Sequence, residues 1–307
     1  MRQMRRMSFG VAVAALIAGV WTAWVPGATG RASAFARARA VAQNSDATSS
    51  FASLDAWKAA VLSGDMDTLR AMYSTDPPAM QTTPKGKSQD PAAEAEFWTS
   101  VKAAGLERME TKIVRRESPQ SGVQLVMFTL EATLRGKNGI ERRFASMAQY
   151  WMEQNGKQVI VATQRTNLAT MPQPFESNPS LYPDPTEART DIGLALAAAK
   201  RDRKRVLLDF GGNWCYDCHV LDTAFHYPEI EKILEPNYVV VHINIGQYDK
   251  NLDLAEKYQI PLKRGVPSLA VLDSSGALLV SQKQGDFENT TKIGPKDVEE
   301  FLEKWKP

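Results

Sequence analysis

The pattern of apolar and polar residues divides the chain into two regions of different type. From Phe51, the stretch SLDAWKAAVLSGDMDTLRAMY has apolar residues at helical spacing on both sides of an SGD break, which predicts two helices, and PAAEAEFWTSVKAAG predicts a third. Four strand-like stretches follow, each separated from the next by a turn that contains glycine: Arg108–Arg115, Val123–Arg135, Ile140–Glu153 and Gln158–Asn167. Helices followed by a run of antiparallel strands predict an α+β domain.

In the C-terminal region, helical and strand patterns alternate. Asp191–Arg203 has a helical apolar face, and VLLDF and YVVVHINI are nearly continuous apolar runs typical of buried strands. We expect one helix after the first of these strands, ending near Leu234, and further helices at DLAEKYQI and PKDVEEFLEKWK. The stretches SLAVLD and ALLVSQK, joined by SSG, predict a hairpin. This order predicts an α/β domain with a mixed sheet.

The two regions are joined by a segment rich in proline. Residues 171–187, MPQPFESNPSLYPDPTE, contain five prolines, which favour an extended backbone and predict a semi-rigid linker. The predicted domains are therefore residues 51–170 and residues 188–307. At 307 residues the chain is long enough for both.

The first residues have the pattern of a secretory signal peptide. Arg2, Arg5 and Arg6 precede an uncharged, largely apolar stretch, and small residues follow at ASA and AVA. We predict cleavage after AVA, so that residues 1–42 are the signal peptide and the polar residues 43–50 are disordered. An uncleaved membrane anchor is the alternative, and both predict export to the periplasm or the exterior.

The net charge gives no indication of a nucleic-acid partner. The formal charge of +2 includes six arginines and no acidic residue in residues 1–42, and it becomes −4 when these are removed. The mature chain therefore lacks the basic excess that nucleic-acid binding requires.

The chain has two cysteines, Cys215 and Cys218, in the stretch NWCYDCHV. A disulfide between them closes a very small loop and would stabilise the fold little, so the pair is better suited to chemistry than to cross-linking. Two cysteines at this spacing occur in thiol–disulfide sites, at haem attachment points and in zinc sites.

The stretch VLLDFGGNWCYDCHVLDTAFHYPEI, with RGVPS about fifty residues later, resembles the active site of the thioredoxin-like fold family, in particular DsbD-type C-terminal domains and secreted thioredoxin-like proteins. The resemblance covers about residues 191–307. It implies that Cys215 lies at a helix N-terminus, where free N–H groups and the helix dipole favour the thiolate and make it the nucleophile. Cys218 is then the resolving thiol, which attacks the mixed disulfide.

Further site residues follow from the same resemblance. Asp209 is implied to be a buried acid that exchanges protons with Cys218. His242 stands where many thioredoxins have a lysine facing this acid, and its unperturbed pKa near 6.5 suits it for the same proton transfer. Pro267 matches the cis-proline opposite the cysteines, and Val266 before it would bind substrate backbone.

Four residues around the cysteines are expected to modify their reactivity. Trp214 is expected to shield the thiols, and Tyr216 and Asp217, between the cysteines, to tune the redox potential. The negative charge of Asp217 disfavours the thiolate form of Cys215, whereas a cationic His219 would favour it. Because His219 is expected to be mostly uncharged at neutral pH, we predict a reducing or isomerising potential.

Other readings of the cysteine pair remain open. Cys215, Cys218 and His219 also match the signature for covalent c-type haem, which would make the chain an electron-transfer protein. A zinc site would need more ligands than this pair and His226 provide. A thioredoxin-like domain that serves only as a binding surface, without catalysis, is the third alternative.

The N-terminal region is similar to NTF2-like (SnoaL-like) proteins in its element order and in the opening WKAAVLSGD, which implies a cone in which a curved sheet surrounds helices. It contains no histidine, no cysteine and no recognisable pair of acidic residues, so we expect it to bind a ligand or to self-associate. For the whole chain we expect an exported thiol–disulfide oxidoreductase. Its redox-active disulfide would need no metal or organic cofactor, its substrates would be protein thiols and disulfides, and its electrons would come from a partner such as a membrane-bound reductase.

Overall fold

The computed structural model describes residues 50–137 and 139–307. The predicted signal peptide (1–42) and nearly all of the segment predicted to be disordered (43–50) lie outside these residues. In the part of the chain that is described, no helix is both long and apolar enough to cross a membrane.

The N-terminal domain packs three helices against one large sheet. The order of its elements is α1 (Ala52–Ser63), α2 (Met66–Ala71), β1 (Met80–Thr83), β2 (Gly86–Ser88), α3 (Pro91–Ala103), β3 (Leu106–Gln120), β4 (Val123–Gly136), β5 (Gly139–Gln154) and β6 (Lys157–Arg165). The strand order is β2-β1-β6-β5-β4-β3, in which only the β1–β6 pair is parallel. The predicted α+β class is confirmed.

Aromatic side chains form the core between these helices and the sheet. Trp57 on α1 lies edge-to-face with Trp98 on α3, at 5.2 Å between ring centroids, and with Phe128 on β4, at 5.9 Å. All three are fully buried. The alternation of buried residues along β4 matches the period of two that predicted the strand.

The C-terminal domain has helices on both faces of a four-stranded sheet. Its elements are α4 (Ala188–Asp202), β7 (Arg205–Gly211), α5 (Tyr216–Phe225), α6 (Pro228–Asn237), β8 (Tyr238–Asn244), α7 (Leu252–Lys257), β9 (Ser268–Leu272), β10 (Leu278–Ser281) and α8 (Pro295–Trp305). The strand order is β10-β9-β7-β8, with β7 and β8 parallel and the other pairs antiparallel. The predicted mixed sheet is confirmed.

The single helix that we predicted from the cysteines to Leu234 is wrong. The chain forms two helices, α5 and α6, separated at His226 and Tyr227. Pro228 disfavours helical backbone at the preceding residue, and Tyr227 accordingly has φ −75° and ψ 133°. Pro228 then occupies the first turn of α6, where its missing N–H costs nothing.

The β1–β2 hairpin was not predicted from the sequence. Its residues, MQTT and GKS, include only one large apolar side chain, so no alternating pattern marks them. β1 is held by its parallel pairing with β6, in which Gln81 lies opposite Thr163. Such a long-range contact has no local signal in the sequence.

The proline-rich segment makes specific contacts with both domains. Met171 and Tyr182 are buried, and the Oγ of Ser146 on β5 donates a hydrogen bond of 2.6 Å to the carbonyl oxygen of Gln173. The segment therefore packs against its neighbours as well as joining them, and the exact domain boundaries of 170 and 188 stay predictions.

A charged cluster links the two domains directly. Arg142 on β5 pairs with Glu131 on β4 at 2.6 Å and with Glu229 on α6 at 3.0 Å. Its Nη2 also donates to the hydroxyl of Tyr227 at 2.5 Å, and the ring of Tyr227 packs edge-to-face on Phe144 at 5.5 Å. One arginine thus contacts carboxylates from both domains.

Candidate active site

The two cysteines are joined by a disulfide at the N-terminus of α5. Cys215 is the N-cap residue of that helix, and Cys218 lies one turn later. The backbone N–H of Cys218 donates to the Sγ of Cys215 at 3.1 Å. Cys215 is 5% exposed and Cys218 is fully buried. Of the two cysteines, only Cys215 keeps any exposure to solvent.

The position of Cys215 favours a negative charge on its sulfur in the reduced protein. The first N–H groups of a helix have no partner within the helix, and together they act as a partial positive charge. The bond from Cys218 N–H to the Sγ of Cys215 shows that one of these groups is already directed at this sulfur. The short GGN stretch joins the C-terminal end of the apolar strand β7 to the start of this helix.

A buried carboxylate lies behind the cysteines. Asp209 on β7 is fully buried, and its Oδ2 accepts hydrogen bonds from the Tyr182 hydroxyl at 2.9 Å and from Nδ1 of His242 at 3.0 Å. Its Oδ1 has no hydrogen-bond partner among the described residues. The burial that the resemblance implied for this aspartate is therefore present in the structure.

His242 lies between two acids. Burial lowers the pKa of His242, but the hydrogen bond to Asp209 and the charges of Asp209 and Asp222 outweigh this and raise the pKa above 6.5. Its Nε2 is 4.0 Å from Oδ1 of Asp222 on α5. Burial raises the pKa of Asp222, although the nearby histidines His226 and His242 lower it.

The two residues between the cysteines are each bonded to another part of the chain. The hydroxyl of Tyr216 donates to Oε1 of Gln173 at 2.8 Å. Oδ1 of Asp217 accepts from the backbone N–H of Thr290 at 3.2 Å and from its hydroxyl. The carboxylate of Asp217 is therefore held by the loop before α8.

Trp214 is exposed to solvent, whereas His219 is buried. Trp214 is 45% exposed, its Nε1 donates to the carbonyl oxygen of Gly246 at 2.7 Å, and its ring lies 5.5 Å from that of Tyr248. His219 is 3% exposed, and its Nε2 donates to the carbonyl oxygen of Asn213 at 2.9 Å. This inward orientation leaves His219 poorly placed to bind a haem iron at the surface.

Val266, which precedes Pro267, lies next to the disulfide. The peptide bond between them is cis, and the carbonyl oxygen of Val266 is 3.5 Å from the Sγ of Cys215. The structure therefore places Val266 next to the Cys215–Cys218 disulfide, and it joins Asp209 to His242 by a hydrogen bond. His226, considered for zinc, lies exposed at the end of α5.

Two further residues of the site, Tyr182 and Asp222, were not predicted from the sequence. Tyr182 belongs to the proline-rich segment, and its backbone N–H and C=O both bond to the side chain of Asn213, just before Trp214. Asp222 lies four residues after Cys218, a spacing that places it on the same side of α5. That spacing could have identified Asp222, whereas nothing local distinguishes Tyr182 from other linker residues.

A groove of about 370 Å³ separates the N-terminal sheet from α5. It is lined by residues of β3 and β4, by Gln173 to Glu176 of the proline-rich segment, and by Thr223 of α5. In the described part of the chain, no group of three or more potential metal ligands comes together.

Comparisons with known proteins agree with these features. A family model described as thioredoxin-like matches residues 187–274. The thioredoxin of Buchnera aphidicola subsp. Baizongia pistaciae (strain Bp) is 39% identical over 83 residues, which are 27% of this chain and 67% of that protein.

Solved structures similar to each domain are also found. A disulphide isomerase from Xylella fastidiosa Temecula1 is 34% identical, with a TM-score of 0.38, over 40% of this chain and 95% of its own. An NTF-2 like protein from Shewanella oneidensis MR-1 is 12% identical, with a TM-score of 0.31, over 38% of this chain and 94% of its own.

Proposed function

Because the C-terminal domain of this chain belongs to the thioredoxin-like family, we propose that the protein is a thiol–disulfide oxidoreductase that acts through Cys215 and Cys218. The observation that carries this proposal is the disulfide at the start of α5, in which the N–H of Cys218 is directed at the sulfur of Cys215, the more exposed of the two cysteines.

The reaction follows from the unequal exposure of the two sulfurs. In the reduced protein the Cys215 thiolate attacks a substrate disulfide, forming a mixed disulfide and releasing one substrate thiolate. Cys218 then loses its proton and attacks the Cys215 sulfur. The second substrate thiolate leaves and takes a proton from solvent, and the Cys215–Cys218 disulfide forms. Two electrons pass from the protein to the substrate.

We propose that the direction of exchange is reduction or isomerisation of protein disulfides. The carboxylate of Asp217 lies in the first turn of α5, where its negative charge opposes the Cys215 thiolate, and Thr290 fixes it there. A less stable thiolate is a stronger reductant because oxidation removes the unfavourable charge. Exposed aromatic side chains near the disulfide, Trp214, Tyr216 and Tyr248, support a polypeptide substrate.

The cellular setting is proposed from the sequence. The basic and apolar first residues support export, and export would require a reductant from outside the chain, such as a membrane-bound reductase. The N-terminal domain, which is NTF2-like in fold, is proposed to bind a ligand or to mediate self-association. No nucleic-acid partner and no metal or organic cofactor are proposed.

The test compares the two single-cysteine variants with the wild-type chain. We expect the reduced wild-type protein to reduce a disulfide-bonded peptide catalytically, and Cys215→Ser to abolish this. Cys218→Ser should instead accumulate a mixed disulfide with the peptide, visible by mass spectrometry. Turnover by Cys215→Ser would contradict the assigned roles, and a Soret band in the absorption spectrum of the purified protein would favour the haem alternative.

A further inference from the structure

The groove of about 370 Å³ between the N-terminal sheet and α5 begins beside the disulfide. Gln173 lines it, and Oε1 of Gln173 accepts the hydrogen bond of 2.8 Å from the hydroxyl of Tyr216, which lies between the two cysteines. Thr223 lines the groove further along α5, and a spacing of seven residues places it on the same side of the helix as Tyr216. The groove therefore runs along α5 from the residue next to Cys215, and we call it the interdomain groove.

The opposite wall of the interdomain groove is the outer face of the N-terminal sheet. On β4, Val126 and Phe128 are fully buried in the core between the sheet and the helices. Met127 and Thr129 alternate with them and line the groove, because successive side chains of a strand point to opposite faces. The interdomain groove is therefore separate from the packed interior of the N-terminal domain.

A β-bulge brings an additional apolar side chain to this wall. Ile113 and Arg115 on β3 are paired with consecutive residues of β4, so Val114 between them is the extra residue of the bulge. Neighbouring side chains of a regular strand point to opposite faces, yet Val114 and Arg115 both line the groove. Val114 is 48% exposed. The bulge thus leaves apolar surface in contact with water, and an apolar partner in the groove would cover it.

The polar side chains on the α5 side of the groove already have hydrogen-bond partners. Nε2 of Gln173 donates to the backbone of its own segment at 2.8 Å, and Oγ1 of Thr223 donates to the backbone of α5 at 2.7 Å. Beside them, the proline-rich segment contributes Pro174 and Phe175. A wall whose polar groups are paired can accept an apolar side chain without leaving a buried donor or acceptor unsatisfied.

The charged side chains at the rim of the groove carry one net negative charge. Nε of Arg115 donates to Glu117 at 2.5 Å, and this hydrogen bond is the main reason why the pKa of Arg115 is raised. The charge of Glu176, which also lines the groove, raises this pKa further. One guanidinium and two carboxylates together favour a lysine or an arginine over an acidic residue in whatever binds there.

We propose that the interdomain groove binds an extended segment of the polypeptide substrate, and that this segment carries an apolar side chain beside a lysine or an arginine. The inference rests on the proposed function and deepens it. The occupant is the substrate because the groove starts at Tyr216, next to the sulfur at which the substrate disulfide reacts. The N-terminal sheet then takes part in substrate selection.

The length of α5 sets the distance between this apolar side chain and the reacting cysteine of the substrate. Thr223 follows Cys215 by eight positions, which is about 12 Å along a helix. An extended chain covers that distance with about four residues, at about 3.3 Å each. The apolar side chain should therefore lie about four residues from the substrate cysteine.

The experiment uses symmetric disulfide dimers of a peptide with a single cysteine. The test peptide has a leucine four residues from the cysteine on both sides, each next to a lysine. One reference peptide has serine in place of leucine, and another has glutamate in place of lysine. Because each dimer is symmetric, attack at either sulfur leaves the same segment on Cys215. The rate constant for oxidation of the reduced full-length protein is measured by acid quenching and mass spectrometry.

The apolar part of the proposal is tested at the bulge. We expect the wild type to react about tenfold or more faster with the leucine peptide than with the serine peptide, the lower end of the discrimination that an apolar pocket gives. In Val114→Asp this ratio should fall to about one. Ile140→Asp is the matched control, because Ile140 is a 63% exposed β-branched residue of the same sheet, on β5 and outside the groove. It should keep the wild-type ratio.

The charge at the rim is tested by Glu176→Lys, a change in an exposed part of the proline-rich segment. We expect the wild type to prefer the lysine peptide to the glutamate peptide by about two- to fivefold at low salt. In Glu176→Lys the preference should reverse. Salt should weaken both preferences but not the preference for leucine, because only interactions between charges are screened.

The outcomes separate this inference from the proposed function. Equal rates of the wild type with the leucine and serine peptides, or a wild-type ratio in Val114→Asp, would overturn the inference. A preference for lysine that Glu176→Lys leaves unchanged would contradict the basic residue assigned to the segment. Failure of the reduced wild type to react even with 5,5′-dithiobis(2-nitrobenzoate), a small disulfide that has no peptide segment, would instead overturn the proposed function.

Discussion

The buried ion pair of Glu94 and Arg165 gives the N-terminal domain a stability that depends on both partners. Their side chains are 1% and 9% exposed, and Nε of Arg165 donates to Oε1 of Glu94 at 2.8 Å. The same oxygen accepts from Nε1 of Trp98 at 2.9 Å, and the guanidinium lies 3.5 Å from the ring centroid of Phe97. Arg165→Met would keep an unbranched side chain over Phe97 and leave the carboxylate without a cation.

The expected loss is large in relation to the stability of a domain. Removing one partner of a buried ion pair costs about 3–5 kcal/mol, because the remaining charge is buried and unpaired. The free energy of unfolding of a typical domain is about 5–15 kcal/mol. Arg165→Met should therefore remove about a fifth or more of the stability of the N-terminal domain at neutral pH.

The loss should depend on pH in a defined direction. Burial raises the pKa of Glu94 above 4.5, although Arg165 and Trp98 lower it. A carboxyl group whose pKa is raised by folding stabilises the folded state below its unfolded pKa, and this contribution is lost as the pH rises through the folded pKa. Arg165→Met removes the main opposing influence and raises this pKa further. Its destabilisation should thus be greatest at neutral pH and should shrink as the pH falls towards 4.5.

Urea unfolding of the full chain at several pH values tests this, followed by tryptophan fluorescence, to which the buried Trp57, Trp98 and Trp151 of the N-terminal domain contribute. The control is Arg135→Met, which breaks an arginine–glutamate pair whose side chains are 61% and 43% exposed. We expect little change in this control at any pH. Equal losses in the two variants, or a loss in Arg165→Met that does not change with pH, would refute the reasoning.

Two further predictions concern the site around Asp209. Tyr182→Phe removes a buried hydrogen bond to this carboxylate and should lower the free energy of unfolding by about 1–3 kcal/mol. Tyr216→Phe, at a half-exposed tyrosine, should lower it less, and thermal unfolding of the two variants measures the difference. Gly211→Ala should destabilise by about 1–3 kcal/mol, because its methyl group would meet Tyr182 and the sulfur of Cys218. Gly193→Ala lies in α4, where no atom is within 4 Å of the added methyl group, and it should stabilise the protein by about 0.5–1 kcal/mol. Losses of stability of equal size in the two glycine variants would show that the contacts at Gly211 are unimportant.

Features that rest on local patterns were predictable from the sequence. The long strands β4 and β5 and the amphipathic helix α8 have strong periodic patterns, and the structure places them within one or two residues of the predicted bounds. The proximity of Val266 to Cys215 and the burial of Asp209 were implied by the resemblance of their motifs. The break before Pro228 could have been predicted from the proline itself, but the apolar residues on both sides of it continue the helical pattern and hide it.

Features that rest on long-range contacts were not predictable. Glu94 and Arg165 are 71 residues apart, and neither has a sequence context that distinguishes it from a surface residue. Tyr182 is separated from Asp209 by 27 residues, and it reaches the carboxylate only because Asn213 holds its backbone. In both cases the partner comes from another element, so the pairing becomes visible only when the chain is folded.

The anchoring of Tyr216 has a consequence for work on isolated fragments. Its hydroxyl is bonded to Gln173, whose own carbonyl oxygen is bonded to Ser146 in the N-terminal sheet. A fragment starting at residue 188 would keep both cysteines but would lose this support. Redox potentials measured on such a fragment would describe a dithiol motif in altered surroundings, and values that apply to the intact molecule require both domains.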